Sequence, residues 1–143
     1  MKKTIKIKLL RGLNTVSPQK DSDWIDLRAA EAVKIEAGHY KPIPLGAAIE
    51  LPKGYEAIMA PRSSLFKHTG LLMANSIGVI DESYKGENDE WHFLAFATRN
   101  TVIREGERIC QFRIIKHQPK YSLKWVKHLC NKNRGGIGST GRL

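Results

Sequence analysis

Apolar and polar positions alternate with period two along much of the chain. From Thr4 to Leu9 the residues Ile5, Ile7 and Leu9 alternate with Lys6 and Lys8, the spacing that turns one row of side chains inward on a half-buried strand. Val33-Lys34-Ile35-Glu36 repeats the pattern, Tyr55 to Met59 is a further strand candidate, and Gly46 to Leu51 predicts another before the turn Pro52-Lys53-Gly54. Pro42 and Pro44 cannot donate to a ladder, so no central strand is expected across them. From Trp91 to Thr98 both faces are apolar or small, which predicts a strand covered on both sides. Cys110, Phe112 and Ile114 form one more inward face, and Tyr121, Leu123 and Trp125 another. No apolar 3.6-residue period persists, and only a short helical turn is expected, from Ser64 to Gly70. The chain therefore reads as all-β, a barrel or sandwich of short strands joined by Gly- and Pro-containing turns.

At 143 residues, with 41% hydrophobic and 27% charged positions, the composition is that of one folded domain able to bury a core without staples. The stretch from Asn131 to Leu143 is rich in Gly and polar residues, with only Ile137 and Leu143 to pack. The expected organisation is a β domain over residues 1–130 and a flexible C-terminal arm over 131–143. The N-terminus alternates Lys with Ile instead of forming an apolar block, and no run approaches the roughly 20 residues that span a bilayer. A cytoplasmic location without membrane partners is expected. Cys110 and Cys130 have neither the number nor the spacing for a zinc site or a disulfide framework; Cys110 reads as a small buried hydrophobe.

Charge changes the picture. The net charge of +10 is concentrated late in the chain, because no acidic residue follows Glu107 while Arg108, Arg113, Lys116, Lys120, Lys124, Lys127, Lys132, Arg134 and Arg142 do. Such a field attracts polyanions, whether nucleic acid or a triphosphate. Polar residues also gather at turns. Arg62, Ser63 and Ser64 follow the strand candidate Tyr55 to Met59, and a guanidinium fork beside hydroxyls suits phosphoryl oxygens. In Asn75-Ser76-Ile77-Gly78-Val79-Ile80-Asp81-Glu82-Ser83-Tyr84-Lys85-Gly86-Glu87 a short strand delivers Asp81 at its end, and Tyr84 follows three residues later. The tail Arg134-Gly135-Gly136-Ile137-Gly138-Ser139-Thr140-Gly141 has the composition of a phosphate cradle but lacks the Lys-Ser/Thr pair of a P-loop.

Five segments in order resemble the motifs of the trimeric dUTP pyrophosphatases (dUTPases). They are Trp24-Ile25-Asp26-Leu27-Arg28-Ala29-Ala30, Ala60-Pro61-Arg62-Ser63-Ser64-Leu65, Asn75 through Glu87, Gly106-Glu107-Arg108-Ile109-Cys110-Gln111-Phe112, and the Gly-rich tail; together they frame about 120 of the 143 residues. The resemblance implies a jelly-roll subunit, a homotrimer with active sites shared between subunits, and Mg2+-assisted hydrolysis of dUTP to dUMP and pyrophosphate. That reaction limits uracil incorporation into DNA and supplies dUMP; stable nucleic-acid binding is not expected. Carried onto this sequence, Asp81 would be the base that aims water at the α-phosphorus, with Arg62 and Ser63 on the phosphates. Tyr84 would pack beneath the deoxyribose and exclude a 2′-hydroxyl. Asn75 and the backbone of Gly78, Val79 and Ile80 would read the uracil edge. Asp26 and Gln111 would act through metal-bound water, not as direct ligands, and Lys132, Arg134, Gly136, Ile137, Gly138, Ser139 and Thr140 would close over the substrate.

The sequence departs from the family pattern in three places. Trp24-Ile25 precede Asp26 where a small residue and Tyr are usual. Arg134 stands directly before the glycines, whereas the family more often has its Arg where Lys132 lies. Ile137 replaces the Phe that stacks on uracil, a loss of roughly 1 kcal/mol of stacking, and Trp91 and Phe93 are the candidate replacement lids. Two alternatives stand beside this reading. One is a dCTP deaminase-like enzyme, although Asp81 and Tyr84 match the pyrophosphatase pattern. The other is a non-catalytic β module that binds nucleic acid or protein through its basic, aromatic-bearing last quarter.

Overall fold

A computed structural model describes residues 1–143. In chain order the elements are β1 (Lys6–Leu9), β2 (Val16–Pro18), β3 (Ile25–Arg28), β4 (Val33–Ile35), β5 (Tyr40–Glu50), β6 (Tyr55–Pro61), α1 (Leu65–Thr69), β7 (Leu71–Met73), β8 (Gly78–Ile80), β9 (Glu90–Ala97), β10 (Thr101–Ile103) and β11 (Arg108–Lys116). They form a four-stranded sheet in the order β1-β5-β9-β7, a five-stranded sheet in the order β2-β3-β11-β6-β8, and a β10-β4 pair, all antiparallel. No helix is long and apolar enough to cross a membrane.

The two larger sheets share one core. Ile43, Leu45, Trp91 and Phe93 from one meet Leu27, Met59, Ile109 and Phe112 from the other. Trp91 and Phe112 join the layers edge to face, with centroids 5.1 Å apart and planes at 74°, worth ~1 kcal/mol beyond the area they bury. This is the sandwich that the strand pattern predicts, in the jelly-roll form that the resemblance implies. The helical turn also forms, ended by Gly70 at φ 71, the left-handed cap that glycine takes without strain. Cys110 is fully buried, and burial pushes its thiol pKa far up, which leaves an inert apolar filler.

Four strand expectations differ from the structure. β5 runs straight through Pro42 and Pro44, which face Leu94 and His92 of β9. It tolerates them because β1 pairs only with Ala47–Glu50, so the prolines have a ladder on one side only and need no second donor. β1 carries the predicted alternation, yet Ile7 and Leu9 are exposed on an edge strand. β9 is covered on one face: Trp91, Phe93, Ala95 and Ala97 are buried, whereas His92 and Leu94 are half-buried and Phe96 is exposed. Tyr121, Leu123 and Trp125 form no strand, and Trp125 is 84% exposed.

Candidate active site

A concavity of about 420 Å³ opens where β8 meets the start of β9. Asn75, Gly78, Val79, Ile80, Asp81 and Tyr84 line it, with Glu90, Trp91, His92 and Leu94 across from them and Met59 and Ser83 completing the wall. β8 lies at the end of its sheet and pairs with β6 alone. One side of its backbone is therefore unpaired and available to a ligand as a neighbouring strand would use it. Gly78 permits this packing, since a Cβ there would stand 3.0 Å from the Met59 side chain. The preceding turn is tight: Ile77 N–H donates to Asn75 O at 2.6 Å, and Ser76 adopts φ 63, a conformation that a non-glycine residue takes only when its surroundings require it.

Asp81 leaves the strand as an exposed residue at the cavity mouth, and it borders a second cavity with Glu56, Glu82 and His117. Its carbonyl accepts the Tyr84 N–H at 3.1 Å, so a single turn sets the spacing of the two residues along the backbone. The Tyr84 hydroxyl donates to the Glu90 carbonyl at 2.9 Å while 41% of the residue stays exposed. Desolvation, with Asp89 and Glu90 adding, raises its phenol pKa, so the ring stays neutral. The loop is tethered elsewhere too. Gly54 N–H donates to the Glu82 carboxylate, and Lys8 Nζ reaches Glu87 Oε2 at 2.7 Å.

The remaining sequence candidates lie apart from this cavity. Arg62 lines a separate concavity with Arg108 and Glu107, and Ser63 beside it is exposed. Asp26 is buried, with Oδ2 3.1 Å from an Arg108 nitrogen and 3.4 Å from Arg62 Nε. Gln111 sits opposite Asp26 in the β3–β11 ladder and donates to Pro61 O at 3.1 Å. No three His, Cys, Asp or Glu side chains are grouped as metal ligands, and Asp26 Oδ2 is already paired with two guanidiniums. The residues present do not fit direct coordination of a divalent ion. In the tail, Lys132, Arg134, Gly136, Ile137, Gly138, Ser139 and Thr140 are all exposed and none lines the β8–β9 cavity.

The structure corrects the replacement lids. Phe93 is 0% exposed and Trp91 2%, because the β9 alternation turns both rings into the core, where neither can swing over a base. β9 brings a second ring to the cavity wall beside the buried Trp91: the half-buried His92, one position from each candidate. Sequence reading also missed Glu90, whose carboxylate is held by Arg11 across 79 positions of chain. Period two separates His92 from Trp91 and Phe93, but apolar Leu94 and Phe96 on the outer face hide which face is which.

Comparison with known proteins gives one family. The dUTPase family model matches residues 14–141. The chain is 55% identical over 138 residues to the SPbeta prophage-derived deoxyuridine 5'-triphosphate nucleotidohydrolase YosS of Bacillus subtilis strain 168, covering 96% of this chain and 97% of that protein. Among solved structures, the dUTPase of Staphylococcus bacteriophage 80alpha with dUPNHPP superposes with TM-score 0.80 at 21% identity, over 97% of this chain and 99% of that one. A mutant dUTPase from phage phi11 of S. aureus, described with a structural Mg(II) ion, superposes at 0.74 with 20% identity, over 88% and 98% of the two chains.

Proposed function

The chain belongs to the dUTPase family, and on that premise we propose that it hydrolyses dUTP to dUMP and pyrophosphate, with uracil and deoxyribose held in the cavity between β8 and β9. The observation that carries the reading is Asp81 at the mouth of a pocket walled by an amide, an unpaired strand edge and an aromatic ring. The Asn75 amide and the free side of β8 supply both donors and acceptors to the uracil edge. Tyr84 lies flat beneath the sugar and leaves no space for a 2′-hydroxyl.

Asp81 then orients a water molecule in line with the α-phosphorus, opposite the bridging oxygen. A carboxylate is a weak base at neutral pH, so its contribution is mainly positional: it holds the water and accepts the proton as the new P–O bond forms. Water oxygen bonds to the α-phosphorus, the α,β-bridging bond breaks, and pyrophosphate leaves with the electron pair. The substrate carries nearly four negative charges, which must be neutralised before a carboxylate can work beside it. Mg2+ enters with the triphosphate as part of the substrate, and the excess of basic residues late in the chain does the rest.

Arg62, Ser63, Asp26 and Gln111 act from a neighbouring copy in a homotrimer. The separation of the Arg62 concavity from the Asp81 cavity within one chain supports a site that one subunit does not complete. Residues 131–143 form an arm whose Lys132, Arg134, Ser139 and Thr140 close on the outer phosphates. Pyrophosphate release from each dNTP and from UTP, with and without Mg2+, tests the reading. Turnover confined to dUTP and dependent on Mg2+ is expected; release of ammonia from dCTP, or no turnover of dUTP, overturns it.

A further inference from the structure

Glu90 is the first residue of β9, and its two ends do different jobs. Its carboxylate is 12% exposed and saturated with donors: Arg11 Nε at 2.7 Å, an Arg11 terminal nitrogen at 2.8 Å and Gly46 N–H at 2.9 Å. A two-pronged guanidinium contact fixes direction as well as distance. Its main-chain carbonyl faces the cavity, accepting the Tyr84 hydroxyl at 2.9 Å and standing 2.9 Å from His92 Nδ1. A carbonyl only accepts, so a hydrogen bond there is made by the Nδ1–H form of the His92 ring.

The backbone explains why these groups meet. The β5–β9 register shifts between Pro44 and Ala48, and such a bulge takes residues out of the ladder. Gly46 lies in it at φ 68, and the Glu90 carboxylate satisfies its N–H. The Gly46 carbonyl accepts Leu10 N–H at 2.8 Å, which brings the next residue, Arg11, alongside. Arg11 also reaches Glu31 at 3.3 Å. The pair thus joins the end of β1, the bulge of β5 and the start of β9 at the point where Tyr84 is tied down.

We propose that Arg11 and Glu90 are positioning residues for substrate selection: by holding the Glu90 side chain, Arg11 and the bulge amide fix the carbonyl that anchors the Tyr84 ring. The inference rests on Tyr84 as the deoxyribose floor. A ring free to tilt would leave room for a 2′-hydroxyl while leaving Asp81 on its own strand end. The pair therefore governs the choice between dUTP and UTP more than the rate of the chemical step.

The test compares kcat/KM for dUTP and UTP in the intact assembled protein carrying Arg11→Met, Arg11→Lys, Tyr84→Phe, Arg11→Met with Tyr84→Phe, or Tyr84→Ala. Arg11→Met is expected to lower the dUTP-to-UTP ratio about fivefold or more while kcat on dUTP stays within about twofold, a pattern that lost stability alone does not produce. Arg11→Lys, which keeps the charge without the fork, should fall between, and it carries the test if Arg11→Met does not fold. Because both act through one hydrogen bond, adding Arg11→Met to Tyr84→Phe should lower the ratio no further. An unchanged ratio in a folded Arg11 variant, or additive effects in the double variant, overturns the inference while Tyr84→Ala still relaxes selection. An unchanged ratio in Tyr84→Ala removes the sugar-floor reading, and this inference with it.

Discussion

Asp81 and Tyr84 are the two ends of one hydrogen-bonded turn, so the backbone sets the proposed water-aiming carboxylate and the proposed sugar floor one turn apart. Asp81→Asn keeps the shape and loses the proton acceptor. It is expected to bind dUTP normally and to lower kcat about a hundredfold or more, measured by pyrophosphate release; a fall of less than about threefold would remove the base role. Tyr84→Ala is expected to relax discrimination against UTP, read from competing turnover of the two nucleotides. Glu90 adds a pH signature. The hydrogen bond from Arg11, then Gly46 N–H and nearby charge, outweigh desolvation and hold its carboxyl below the ordinary value of 4.5. A depressed carboxyl stabilises the fold fully above its unfolded value and loses that contribution as pH falls through the folded one. Between about pH 5 and about pH 3 the thermal midpoint of the natural protein should therefore drop more than that of Glu90→Gln. Equal drops would show that the pair adds nothing to stability.

Among the elements, β8 does most for the site, and its sequence shows why. Gly78-Val79-Ile80 is too short to be an independent strand, but flanked by Asn75 and Asp81 it was readable as a scaffold for chemistry. The cavity residues from Asn75 to Tyr84 do lie together. What stayed illegible depended on partners distant in sequence. No local pattern indicates that β1 ends early enough for Pro42 and Pro44 to sit within β5. Nor does one show that Arg11 will find Glu90, or that Asp26 will be held between Arg62 and Arg108. In β9, apolar residues on both faces concealed that Trp91 and Phe93 are core and His92 is not. The β5 bulge gives a stability prediction. Gly46 sits at φ 68, and a Cβ there would lie 2.9 Å from Ala30 Cβ and 3.2 Å from Thr15 Cγ2. Gly46→Ala should cost about 2 kcal/mol or more in urea unfolding, and a change under about 0.5 kcal/mol would show that the bulge relaxes freely.

At the scale of the whole molecule, a single chain leaves its chemistry divided. The β8–β9 cavity, the Arg62–Arg108 concavity and the basic tail are three separate surfaces, and Tyr121, Leu123, Trp125 and Leu129 are exposed on the way to the tail. The period-two pattern of Tyr121 to Trp125 reads as strand-like in sequence yet pairs with no strand within the subunit. Removing Asn131 to Leu143 should leave the assembly intact by sedimentation while lowering kcat/KM for dUTP about tenfold or more, because closure supplies phosphate donors and excludes water. Unimpaired hydrolysis after deletion would show that closure is unnecessary. The most direct measurement is a structure of the assembled protein with Mg2+ and a non-hydrolysable dUTP analogue. The account predicts uracil against Asn75 and β8, deoxyribose on Tyr84, and a water held by Asp81 within about 3–3.5 Å of the α-phosphorus, in line with the bridging atom. An α-phosphoryl group beyond one water's reach of Asp81 in every subunit would contradict it.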